Sequence, residues 1–234
     1  MDADTAVDSG TLLDRLVDGG VVEPADGGDR LRLTDAFTDR LDATRATLAD
    51  LDSAARRETL SEHVEAPAEV DAVLDVSDHD EEILVEYLAV ADHVAQLSHA
   101  DRLRVLPVVD ALRRDPPADH GSPAAFTPVH GDRLPLLLRV HPEAVVYVWL
   151  DDCTDCDQMR ATLDELFEAA PDDVAFFSVY GPDAPRILQE RYGVPGGPAT
   201  LFIHEGTVDA RLYGAQYESV VESELRTLRE VASA

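Results

Sequence analysis

The only two thiols in the 234-residue chain stand three positions apart, in Cys153-Thr154-Asp155-Cys156. Three chemistries fit such a pair. It can shuttle between dithiol and disulfide, it can supply half of a zinc site, or it can sit inert as two small buried hydrophobes. Zinc needs two further ligands, and the eight histidines (63, 79, 93, 99, 120, 130, 141 and 204) show no paired spacing on one helix face. In a reducing compartment a lone disulfide is a poor structural staple, which favours redox chemistry. Only a thiolate attacks a disulfide, so the elements around the two sulfurs decide which one reacts.

Those elements read clearly. Residues 144–150, Ala-Val-Val-Tyr-Val-Trp-Leu, form a continuous run of β-formers, as a strand buried on both faces requires. After Cys156 the apolar positions Met159, Leu163, Leu166 and Phe167 have helical spacing. Cys153 therefore falls at a helix N-terminus, where unpaired N–H groups and the helix dipole favour an anion. It is the expected attacking sulfur. Cys156, one turn further in, is the expected resolving sulfur. A helix is expected over 134–140, with Pro135 in its first turn. A second buried strand is expected over 174–180 and a helix over 184–192. Strands over 199–204 and 208–213 are joined by the turn Glu205-Gly206-Thr207, and a closing amphipathic helix covers 217–231.

Residues from about 130 to 232 resemble the thioredoxin family. The resemblance is carried by the buried strand ending in Trp149, the C-x-x-C at the strand-to-helix junction, and the Gly-rich loop Gly193 to Gly197 closed by Pro198 just before a strand. It implies a thioredoxin-like α/β domain with a central mixed sheet flanked by helices. It also implies a cis proline at Pro198 facing the dithiol. Cys153 and Cys156 would be catalytic, with Trp149, Thr154, Asp155 and Pro198 in supporting positions. The implied partners are protein disulfide substrates and an electron donor such as a thioredoxin reductase, with no cofactor and no metal. Two departures stand out. The family commonly has an aromatic residue before the first cysteine and Gly-Pro between the two, whereas here Asp151-Asp152 precede Cys153 and Thr154-Asp155 follow it. Carboxylates around the sulfur oppose its ionisation, which predicts a reducing couple. The family's buried carboxylate behind the second cysteine would fall at Tyr147, where it is missing.

The first half reads as a mainly helical domain, residues 1–115. Helix 11–18 ends at Gly19-Gly20, and a short hairpin pairs residues 21–22 with 31–33 around the turn 25–29. Thr34 is the expected N-cap of the next helix. This helix, hairpin and helix resemble part of a winged-helix unit. Helices are expected over 54–65, 68–76, 80–96 and 101–114, with Asp80 capping the third and Pro107 kinking or breaking the fourth. The Pro- and Gly-rich stretch 116–128 reads as a linker, and 129–234 as the second domain. An alternative function follows from this layout: a non-enzymatic redox sensor or adaptor, whose first domain binds a partner under control of the dithiol.

The chain carries 48 acidic residues against 19 arginines, a formal charge of −29, with neither lysine nor asparagine. Self-repulsion on that scale destabilises a compact fold unless salt screens it. A protein of a salt-accumulating halophile, such as a halophilic archaeon, is the expectation. No basic patch suits nucleic acid. The acidic start Met1 to Asp4 has no apolar signal segment, and no apolar run approaches the roughly 18 residues of a membrane span. A soluble, cytoplasmic protein that binds no membrane is expected.

Overall fold

The computed structural model describes residues 9–25, 27–28, 30–168, 171 and 173–232. The acidic start Met1 to Asp4, and positions Asp26 and Asp29 of the expected turn, lie outside them. The chain divides into two compact units, Met1–Asp115 and Pro116–Ala234.

The first unit contains α1 (Ser9–Asp18), β1 (Val22–Pro24), β2 (Leu31–Leu33), α2 (Asp35–Ala49), α3 (Ser53–Ser61), α4 (Pro67–Ser77), α5 (Glu82–His93) and α6 (His99–Arg113). β1 and β2 pair antiparallel as a two-stranded ribbon. Side chains set the helix starts: Thr34 accepts from the Phe37 amide, Asp52 from Ala54 and Ala55, and Ser98 from Asp101. Asp80 accepts from the Glu82 amide at 3.0 Å, one residue ahead of the N-cap position at Glu81. In α5 every residue from Ile83 to Ala91 is buried, which makes it the central helix of this unit, packed by α2, α4 and α6. One of those buried residues is Glu86, held by Arg113 at 2.5 Å. Pro107 does not end α6: the helix runs on to Arg113. Proline costs one hydrogen bond, and the burial of Val105, Leu106 and Val109 on the core side holds the helix together across it.

The second unit contains β3 (Thr127–Pro128), α7 (Leu134–Val140), β4 (Ala144–Trp149), α8 (Thr154–Leu166), β5 (Ala175–Tyr180), α9 (Pro185–Glu190), β6 (Ala199–His204), β7 (Thr207–Tyr213) and α10 (Glu218–Ala232). The sheet order is β3-β5-β4-β6-β7. β4 runs parallel to β5 and antiparallel to β6, so the sheet is mixed. All six residues of β4 are buried, as its unbroken apolar run requires. Successive side chains of a strand point to opposite faces. Ala144, Val146 and Val148 pack with α7 and α9, whereas Val145, Tyr147 and Trp149 pack with α8 and α10. The sheet is thus flanked by helices on both faces, and the residues beneath the dithiol helix are the odd-numbered ones of β4.

The stretch 116–128, expected as a linker, is instead part of the second unit. Its Thr127 and Pro128 pair parallel with Phe177 and Ser178. Its Phe126 is 4% exposed and packs edge-on against Tyr147, Phe167 and Phe176. Proline and glycine here shape a strap that closes over the sheet edge. The unpaired edge of β5 needs such a partner. Among the described residues no helix is long and apolar enough to cross a membrane.

Candidate active site

Cys153 and Cys156 are joined as a disulfide, with Cα atoms 5.1 Å apart. Cys153 is the N-cap of α8, and its Sγ accepts from the Cys156 amide at 3.1 Å. In this structure that sulfur belongs to the disulfide. An amide so placed at a helix N-terminus is a donor suited to an anionic sulfur. The two sulfurs differ in access. Cys156 is 4% exposed, while Cys153 is half-buried and flanked by exposed Asp151, Asp152, Thr154 and Asp155. Asp152 has φ 51°, which turns the end of β4 into the helix. Aspartate tolerates this left-handed backbone better than most residues other than glycine.

Beneath the pair, Tyr147 donates its hydroxyl to the main-chain oxygen of Cys156 at 2.8 Å. Burial pushes the phenol far above its ordinary range. Tyr147 therefore stays protonated near neutral pH and serves as a fixed donor to the helix backbone. The Gly197–Pro198 bond is cis, and Pro198 is buried. Gly197 lies against the end of β4: a side chain there meets Leu150 and the Val148 carbonyl at 3.1 Å and the Trp149 Cα at 3.4 Å. The Pro198 loop and the dithiol are thereby held at the same end of the sheet. The Pro198 carbonyl also accepts from the Gly214 amide at 2.9 Å. Trp149 is 1% exposed and lies in the core cluster against which Cys153 packs. The structure thus brings Trp149, Cys153, Thr154, Asp155, Cys156 and Pro198 to one end of one sheet.

Two residues far away in the chain, His120 and Tyr180, also reach this end and meet at Asp151. His120 Nε2 donates to Asp151 Oδ1 at 2.7 Å, and the Tyr180 hydroxyl donates to Asp151 Oδ2 at 2.5 Å. The His120 and Tyr180 hydrogen bonds, in that order, hold the Asp151 carboxyl below the usual carboxylate range. The His120 ring stands edge-on to Trp149 at 4.6 Å, and Tyr180 lies 4.7 Å from the same indole. The strap that carries His120 is well anchored. Arg160 of α8 donates to the His120 carbonyl at 2.9 Å, and Asp164 accepts from the Ala124 amide at 2.7 Å. The Ser122 hydroxyl meets that of Ser178 at 2.6 Å. Gly121 seats the strap directly on the indole of Trp149, leaving no room for a β-carbon. No local signal marks His120 in the sequence, because its partners Trp149 and Asp151 are 29 and 31 positions away. Among the described residues no group of three or more His, Cys, Asp or Glu is placed to hold a metal ion.

Comparison of the sequence with protein-family models and with curated proteins gives no match. Solved structures resemble part of the chain. Mitochondrial thioredoxin 3 from Saccharomyces cerevisiae is 21% identical over 44% of this chain and 94% of its own, with a TM-score of 0.39. Thioredoxin f from spinach chloroplast is 20% identical over 45% and 94%, with a TM-score of 0.40. The thioredoxin of Malassezia sympodialis is 20% identical over 43% and 89%, with a TM-score of 0.38.

Proposed function

We propose that the second unit is a thiol–disulfide oxidoreductase that reduces protein disulfides through Cys153 and Cys156. The observation that supports it most is the unequal setting of the two sulfurs: Cys153 at the helix N-cap facing an amide donor, Cys156 buried one turn behind it. The Cys153 thiolate attacks one sulfur of a substrate disulfide. A Cys153–substrate bond forms, the substrate S–S bond breaks, and the departing thiolate takes a proton from solvent. Cys156 then loses its proton and attacks the Cys153 sulfur. This forms the Cys153–Cys156 disulfide and releases the second substrate thiol. Two electrons pass to the substrate, and an external dithiol donor, such as a thioredoxin reductase, returns them. With Tyr147 in place of a carboxylate, proton removal from Cys156 falls to solvent, so resolution is the slower half of the cycle.

Thr154, Asp155, Trp149 and Pro198 act as supports in this reading. The first unit serves partner choice. The setting is a salt-rich cytoplasm, where the −29 charge is screened. The test is turnover of a protein disulfide, such as reduction of insulin with dithiothreitol as electron source, in molar potassium chloride. Wild type is expected to turn over and Cys153→Ser to be inactive. Full activity in Cys153→Ser, or none in wild type, would overturn the reading.

A further inference from the structure

Asp151 stands two positions before Cys153, a span of at most about 7 Å between Cα atoms. An uncompensated carboxylate there opposes thiolate formation. Both oxygens of this carboxylate are occupied, one by the His120 imidazole and the other by the Tyr180 hydroxyl. We propose that His120 is a positioning residue for the dithiol: carried in on the strap, its imidazole pins the Asp151 carboxylate by a hydrogen bond and so limits how far that carboxylate opposes ionisation of Cys153. The inference rests on Cys153 being the reactive sulfur.

Three features separate this from a chance surface pair. The ring is fixed on its other side by the edge-on contact with Trp149. The strap is seated by Gly121 on the same indole and tied to α8 through the His120 carbonyl itself. Finally, the pair is too exposed to be a stability device, with side chains 63% and 51% accessible. The other charged groups facing the site are Asp152 of the turn, Arg160 of α8 with Asp157 beside it, Asp155 in the first turn of α8, and Tyr180 with Asp183 beyond β5.

The rate of alkylation of reduced Cys153 by iodoacetamide, followed from pH 5 to 9 at low salt with the modified site read by mass spectrometry, tests this without any disulfide substrate. His120→Ala is expected to react about three- to tenfold more slowly than wild type below the thiol's own inflection. His120→Ala combined with Asp151→Asn is expected to regain the wild-type rate, because no bare carboxylate remains. Raising the salt to 1 M shrinks the difference. A His120→Ala profile superimposable on wild type, or a double variant as slow as the single one, overturns the proposal. If the profile holds while wild type reduces no protein disulfide, the proposed function fails and this coupling stands.

Discussion

The hydroxyl of Tyr147 lies 2.8 Å from the main-chain oxygen of Cys156, at the site where a thioredoxin-like dithiol is expected to have a carboxylate. A donor to the helix backbone fixes the first turn of α8 but takes up no proton from the thiol. Replacing Tyr147 by Phe removes one buried hydrogen bond and leaves the packing with Phe126 largely in place. The expected cost is about 1 kcal/mol of stability by urea titration. The rate of disulfide reduction near pH 7 should be unchanged, because the lost group is not a base there. A large loss of rate with stability intact would give Tyr147 a chemical role.

Unequal access to the two sulfurs makes a directional prediction. With Cys156→Ser, the mixed disulfide formed by Cys153 has no resolving partner and should accumulate. It is read as a covalent protein–substrate adduct on a non-reducing gel. Cys153→Ser leaves only a thiol that is 4% exposed and should trap little or nothing. Equal trapping by the two variants would contradict the assignment of attack to Cys153.

Gly121 touches the indole of Trp149, so a methyl group there must displace the strap or the ring. Gly121→Ala is expected to cost about 1–3 kcal/mol. Trp149 is the sole tryptophan, so its emission should shift along with the unfolding midpoint. Phe126→Ala empties a site shared with Tyr147, Phe167 and Phe176 and should cost about 3–5 kcal/mol. If either change left stability untouched, the strap would not be part of the second unit's core.

Acid should weaken the first unit through Glu82. Its hydrogen bond to Arg45, and then that to Arg113, hold its carboxyl at about 2 against an ordinary 4.5. A carboxyl lowered by folding contributes stability that is complete above its unfolded value and is lost as pH falls through the folded one. The first unit's urea midpoint, followed by circular dichroism, should therefore decline between about pH 4.5 and pH 2. Glu82→Gln should flatten that decline. Trp149 fluorescence reports the second unit alone, so the two transitions can be told apart.

His204 carries the opposite sign. Its hydrogen bond to Glu143, at 3.0 Å, raises the imidazole above its ordinary 6.5. That contribution is complete below the unfolded value and is lost as pH rises through the folded one. A fluorescence-detected midpoint that drops on the alkaline side of 6.5, and drops less in His204→Gln, is the expected result.

What the amino-acid sequence determined by itself was local. The unbroken apolar run of β4, the helical spacing after Cys156 and the caps at Thr34 and Ser98 depend on neighbours within a few positions. So does the placing of Cys153 at a helix start. The tertiary structure alone decided what meets across long separations. Sheet pairing turned 116–128 from an expected linker into a strap with its own strand, and buried packing carried α6 through Pro107. The opposition of His120 to Asp151 and Tyr180, and the contact of Gly121 with Trp149, arise only when β4, β5 and the strap are brought together. Composition and periodicity report the faces a segment must bury. Which side chain of a distant segment arrives there is set by sheet order and register, and in this chain that arrival occupies both oxygens of the carboxylate beside Cys153.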